Sequence, residues 1–317
     1  MIFLDALASM TSIALLTLVG FGIAHRGWVS LDTELFLPKL ITRIVLPPYL
    51  MRTIVLNFDR EHLIHMIASS LVPMMSMVVC ILLFWGLGIL FAVNRSHRNL
   101  CAVGGTVSNT ILIGIPVNIA LFGEASLPYV LLYFFANTLF FWVFGAHCIA
   151  REGTQTRLLT LKERIKQFLS PPLCGVLLGI AFVILGVRVP AVIMDTCRYL
   201  GQLATPLALI FVGITLNRVN IKKDHLGFDI LLGLFQRLVL APSVLLGILC
   251  FFPLPSTMAQ VFIIQSALPC MAVTSVVAAY YGADKEYAST LVALSTVCGM
   301  LTVPLWMTIV TTLFPAS

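Results

Sequence analysis

Ser108-Asn109-Thr110-Ile111-Leu112-Ile113-Gly114-Ile115-Pro116 sets three consecutive hydrogen-bonding side chains, a glycine and a proline inside an otherwise apolar run. In hydrocarbon every backbone N–H and C=O must be paired within the protein, so such a segment is tolerated only where it is buried in protein or lines a cavity. A second interruption stands late in the chain, at Gln265-Ser266-Ala267-Leu268-Pro269. Broken apolar segments at corresponding positions of two halves point to the binding site of a secondary transporter.

The rest of the chain is of one kind with these segments. Of 317 residues, 60% are hydrophobic and 10% charged, with a mean hydropathy of +1.04, whereas about a quarter of a soluble protein is charged. Apolar runs near 3–25, 33–56, 62–93, 98–122, 126–150, 168–187, 190–217, 226–252, 257–281 and 286–314 are long enough to cross a bilayer, which takes roughly 20 residues each. The expected fold is an all-α polytopic membrane protein of ten spans. The first run has Asp5 and no Lys or Arg ahead of it, and so reads as a membrane helix rather than a cleaved signal peptide.

The net charge of +6 is a topology signal. Thirteen basic residues (Arg26, Lys39, Arg95, Arg98, Arg151, Arg157, Lys162, Arg164, Lys166, Arg218, Lys222, Lys223, Lys285) belong to the loops after odd-numbered spans, and four (Arg52, Arg60, Arg188, Arg198) to the other side. The imbalance places the first set in the cytoplasm and both termini outside, in the cell membrane. No basic helix or aromatic-interleaved patch points to nucleic acid. The eight cysteines stand singly without CxxC spacing, which implies neither a disulfide framework, a metal site nor a cofactor. The longest loop, 151–166, leaves no room for a soluble domain.

Punctuation recurs at one offset. Gly27 and Gly186, Pro47 and Pro206, and Gly123 and Gly282 are each 159 apart (186 − 27, 206 − 47, 282 − 123). At that offset Ser108-Asn109-Thr110 falls on Ala267-Leu268-Pro269, so the interruptions coincide as well. A repeat of five spans is odd, hence the copies enter the membrane in opposite directions. The expected division is 1–150, a cytoplasmic loop 151–166, and 167–317. Pro47-Pro48 and Pro206 are expected to kink spans 2 and 7.

Asn109-Thr110-Ile111-Leu112-Ile113-Gly114-Ile115-Pro116-Val117 with Leu121-Phe122-Gly123, and Gln265-Ser266-Ala267-Leu268-Pro269 with Tyr281-Gly282, resemble the fourth- and ninth-helix motifs of the auxin efflux carrier family. That family includes the plant PIN-type transporters and bacterial malonate and malate permease-like proteins. The resemblance implies that helices 4 and 9 are broken and cross in an X. It also implies a dimerising scaffold of spans 1, 2, 6 and 7, a transport domain of spans 3–5 and 8–10 that moves as an elevator, and small organic anions, mostly carboxylates, as substrates. Ser108 departs from the proline of the plant proteins, the central loop is short, and no Asp or Glu lies in the interior of spans 3–5 or 9–10, only Glu286 at the very start of span 10 and Asp229 near an end of span 8.

The residues themselves support an anion. Half-helix N-termini carry partial positive charge and unpaired N–H donors, and Gly114, Pro116 and Pro269 mark the breaks. Ser108, Asn109 and Thr110 supply neutral donors, with Asn137 and Gln265 as further candidates. For each of the last two, ligand contact stands beside an ordinary inter-helix hydrogen bond. Arg237 lies deep in an apolar span and needs a partner: a substrate carboxylate, the carbonyls of a broken helix, or the interface. Arg43 is expected to pair structurally. An enzyme is disfavoured by the lack of G-x-S-x-G, H-E-x-x-H or a His/Asp/Glu cluster on one helix face. The alternatives are a sodium- or proton-coupled carrier on a similar inverted-repeat fold, for which buried carboxylates are scarce, and a membrane receptor without transport.

Overall fold

The computed structural model describes residues 2–60, 68–154, 169–218 and 227–315. Among these, regular structure is helical throughout apart from one isolated antiparallel bridge. The first half comprises α1 (Ile2–His25), α2 (Leu31–Leu40), α3 (Leu46–Asn57), α4 (Leu71–Leu90), α5 (Arg98–Thr106), α6 (Gly114–Phe122), α7 (Leu127–Phe140) and α8 (Ala146–Ala150). The second comprises α9 (Pro171–Leu185), α10 (Ala191–Gln202), α11 (Ala204–Arg218), α12 (Phe228–Phe235), α13 (Ala241–Leu249), α14 (Ser256–Ala267), α15 (Val273–Tyr281) and α16 (Lys285–Leu313).

Five helical stretches among the described residues are long and apolar enough to cross a membrane: Leu71–Leu90, Glu124–Ala150, Ala191–Asn217, Phe228–Leu249 and Lys285–Leu313. They leave large apolar side chains such as Leu82, Leu231 and Leu301 exposed, as helices facing hydrocarbon do. The runs expected at 98–122 and 257–281 are each broken, and 33–56 is divided by a π-helical turn, Ile41–Val45. Arg157, Lys162, Arg164, Lys166, Lys222 and Lys223, with most of the loop 151–166, lie outside the described residues.

Prolines account for two of the three π turns among the described residues and for one helix end, whereas the π turn Phe141–Gly145 has no proline in the helix that follows it. A proline ring clashes with the carbonyl four residues earlier and leaves it without a donor. Four residues before Pro47 is Arg43, in the π turn; four before Pro206 is Gln202, where α10 ends; four before Pro242 is Leu238, in a second π turn, Gln236–Leu240. The freed Leu238 carbonyl accepts the indole N–H of Trp306 at 2.8 Å. Spans 2 and 7 therefore yield one turn ahead of the proline, while Pro47 and Pro48 sit in the first turn of α3, where no N–H is needed.

The same offset organises the helices. α6 and α15 match residue for residue at 159 (273 − 114, 281 − 122). Gly27 and Gly186 have φ of 73° and 64°, and Gly123 and Gly282 74° and 70°, so each glycine pair supplies a positive φ that is strained for any side chain, although ψ differs between Gly123 (−177°) and Gly282 (26°). α1 packs on α11, and α9 on α3. Gly20 and Gly213 lie against main-chain carbonyls across the first contact, Gly175 and Gly179 across the second, which lets the backbones approach as small residues do in membranes. Gly20 and Gly179 are again 159 apart.

Candidate functional site

The two breaks meet. α5 ends at Thr106 and α6 starts at Gly114; α14 ends at Ala267 and α15 starts at Val273. Leu268, held extended (φ −67°, ψ 159°) ahead of Pro269, ends α14 because a residue before proline is disfavoured from helical geometry. Between the helices the strands pair antiparallel at Ser108 and Cys270. Asn109 N–H donates to the Pro269 carbonyl at 2.9 Å, and Met271 N–H to the Val107 carbonyl at 3.3 Å. These reciprocal bonds relate the strands by 162 (270 − 108), not by 159. α14 runs two residues beyond the counterpart of Thr106 (267 − 106 = 161), which accounts for most of the register shift, so the counterpart of Asn109 by the local two-fold is Met271 rather than Leu268, while Asn109 itself lies opposite Pro269.

The outward N–H of each strand is capped by a side chain. Asn137 accepts from Ser108 N–H at 3.1 Å and returns its amide N–H to the Ser108 carbonyl at 3.0 Å. Ser295 accepts from Cys270 N–H at 3.0 Å. Asn137 is thus committed to the main chain, the inter-helix alternative left open by the sequence. Ser295 carries no signal in sequence, being one of many hydroxyls in an apolar helix.

Arg237 is fully buried. It comes from the π turn that Pro242 imposes. Its Nη1 donates to the carbonyls of Gly105 (3.0 Å) and Thr106 (2.7 Å), and its Nη2 to that of Ser266. These are the last carbonyls of α5 and α14, the negative ends of two half-helices. Its partner is therefore the broken-helix carbonyl set, the second of the three expected. Gly105 makes this possible: a Cβ there would come within 2.9 Å of Gln236 and Phe84. The adjacent glycines Gly104-Gly105 were the available signal in sequence.

Gln265 Nε2 reaches the Thr110 carbonyl at 3.4 Å. Its Oε1 lies against Gly114, where any Cβ would collide with it. Gly114 and Pro116 fall inside the first turn of α6 rather than in the break, which spans 107–113. Ser108 and Thr110 are buried, with Ser108 beside Tyr133. Among the residues expected to contact ligand, Asn109 is the one that lines a cavity beside the crossing.

That cavity, about 580 Å³, lies between the crossing and α11. Its lining includes Asn109, Leu112 and Ile113 ahead of α6, Ala272 and Ser275 at the start of α15, Phe211 and Thr215 of α11, and Lys285, Glu286 and Thr290 of α16. Neither α6 nor α15 has a side-chain cap at its N-terminus. The N–H groups of Gly114, Ile115 and Val117 bond the carbonyls of Asn109, Ile111 and Ile113, and that of Thr274 bonds Met271, so what each helix start offers an anion is its dipole, roughly half an elementary charge, rather than free donors. Arg237 offsets the two negative ends, and the two positive ends remain beside the cavity, about one unit in all.

A polytopic helical membrane protein with two broken helices paired at their breaks and a cavity beside them is the architecture of a transporter. The chain belongs to the membrane transport protein family, the auxin efflux carriers, whose profile matches residues 5–307. It is 25% identical over 314 residues to an uncharacterized transporter of Methanothermobacter thermautotrophicus, covering 96% of this chain and 99% of that one. It is 22% identical over 303 residues to an uncharacterized transporter of Methanocaldococcus jannaschii, covering 93% and 95%.

Proposed function

We propose that this membrane transporter carries small organic anions, carboxylates foremost, by alternating access between a scaffold of spans 1, 2, 6 and 7 and a moving bundle of spans 3–5 and 8–10. The observation that carries the reading is the charge balance at the crossing. Arg237 neutralises the helix C-termini at Gly105, Thr106 and Ser266, and the uncapped starts of α6 and α15 face a mostly apolar cavity with Asn109 as a neutral donor. Neutral donors and partial charges stabilise an anion yet let it leave.

Ten spans in two inverted five-helix repeats, divided at 151–166, agree with the recurrence of helix bounds and positive-φ glycines at 159. The packing of α1 on α11 and of α9 on α3 fits a scaffold that exchanges helices between repeats, and the apolar outer surface suits a homodimer in a lipid membrane. Lys285 lines the cavity and by the loop-charge argument lies on the cytoplasmic side, with both termini outside. The test is uptake of radiolabelled malonate, malate and indole-3-acetate into proteoliposomes, with and without sodium and a pH gradient. Uptake of at least one anion above protein-free vesicles is expected. Uptake of none, by protein shown to be folded, would overturn the reading.

A further inference from the structure

Far along α5 from the crossing, His97 stands just ahead of the helix, stacked on the Tyr287 ring with centroids 4.3 Å apart and planes 12° apart. Its Nδ1 lies 3.2 Å from Asp229 Oδ2, in the first turn of α12, and its Nε2 lies 3.2 Å from Asp284 Oδ2, the N-cap of α16. A neutral imidazole has one N–H and one lone pair, so one of these two contacts would set a lone pair against a carboxylate oxygen. Both are satisfied only when the triad holds an additional proton, on the imidazole or on one carboxyl.

The aspartates are held in place. Asp284 Oδ1 accepts the N–H groups of Glu286 (3.0 Å) and Tyr287 (2.9 Å), and the Tyr287 hydroxyl donates to the Asp229 carbonyl at 3.1 Å. Of the other charged groups here, Glu152 in the turn after α8 interacts with both His97 and Arg98, and Lys285 and Glu286 follow Asp284 in the chain. Glu152 accepts the N–H groups of Asn99 and Leu100 at the start of α5. Burial pushes its carboxyl up to about 7 against those bonds, so this end of the molecule holds two titratable loci. The same turn binds the end of α15, since Thr154 N–H donates to the Gly282 carbonyl at 3.3 Å.

The position gives the proton a consequence. Lys285 and Glu286, next in chain to Asp284, line the cavity, so each proton bound here adds one positive charge next to that lining. The triad also ties the outer start of α5, whose inner end forms the crossing, to the starts of α12 and α16. We infer that His97, Asp229 and Asp284 form a proton-binding site next to the cavity lining, and that its occupancy makes carriage proton-responsive. The second half rests on the anion-carrier reading above.

The test compares wild type, His97→Gln and Asp229→Asn in purified protein. A proton held in the folded state and released on unfolding stabilises at low pH and is lost as pH rises. Wild-type Tm should fall more steeply with rising pH than that of Asp229→Asn. In Asp229→Asn the amide donates to the imidazole lone pair, so neutral His97 is satisfied on both sides and the slope should flatten even if His97→Gln fails to fold. Parallel Tm curves for wild type and Asp229→Asn would remove the proton site. For the second half, uptake of the same three labelled anions is measured at acid and alkaline pH on the cavity side. Several-fold acid stimulation in wild type that shrinks in Asp229→Asn is the expected result, and an unchanged ratio overturns the link to carriage. If none of the three anions is carried, the anion reading falls while the Tm comparison still decides the proton site.

Discussion

Replacing Arg237 tests whether a residue that faces no cavity sets the charge selectivity of the site. Its guanidinium makes three hydrogen bonds to main-chain carbonyls. At about 1.5–3 kcal/mol each for bonds to a charged group, the gross gain is roughly 5–9 kcal/mol, set against a desolvation penalty of several kcal/mol. Removing one side of such a buried arrangement costs about 3–5 kcal/mol, so Arg237→Gln should lower Tm clearly. It should also act at a distance. Without the cation, two half-helix C-termini leave about one negative charge, roughly one helix diameter or about 10 Å from a bound anion. At an effective dielectric of about 20 the repulsion is about 1.7 kcal/mol, or roughly fifteenfold in affinity. Arg237→Lys keeps the charge while losing the fork of hydrogen bonds, so it should share the loss of Tm but retain most of the affinity. The assay is concentration-dependent uptake in proteoliposomes of whichever labelled anion proves to be carried. Folded Arg237→Gln with an unchanged KM, or Arg237→Lys as impaired in KM as Arg237→Gln, would refute the electrostatic account.

Asn109→Ala removes the one side-chain amide that reaches the cavity from the crossing. Uptake affinity should fall by roughly ten- to more than a hundredfold, the worth of one hydrogen bond to a charged group at about 1.5–3 kcal/mol, with little loss of inserted protein. Asn137→Ala should do the reverse: the buried N–H and carbonyl of Ser108 lose their partners, so Tm and the yield of folded protein drop first, and a stable variant with altered affinity alone contradicts the assignment. Glu152→Gln addresses pH. Because the folded-state carboxyl is raised from 4.5 to about 7, the folded protein keeps a proton that the unfolded chain releases. This contribution to stability therefore declines from about pH 4.5 to about 7 and then levels off. The difference in Tm between wild type and Glu152→Gln should follow that course, and a constant difference across the window would count against it.

Hydropathy and helix breakers act locally, and what they control was legible in the sequence. The apolar runs, the two interruptions and the 159-residue offset depend on residue types that dictate backbone behaviour wherever they stand. Gly27, Gly123, Gly186 and Gly282 take up positive φ, and Pro269 ends the helix before it. Three things were decided only by the tertiary structure. The strand register at the crossing is 162 rather than 159, mostly because α14 runs longer than its counterpart, and the main-chain pairing is indifferent to side-chain identity. Asn137 and Arg237 bond carbonyls and N–H groups that every residue possesses, so nothing in sequence distinguishes those partners from a ligand. His97 meets Asp229 and Asp284 across 132 and 187 residues of chain. Hydropathy places each of the three at the end of an apolar run, but only the packing of three helix starts brings them to one point.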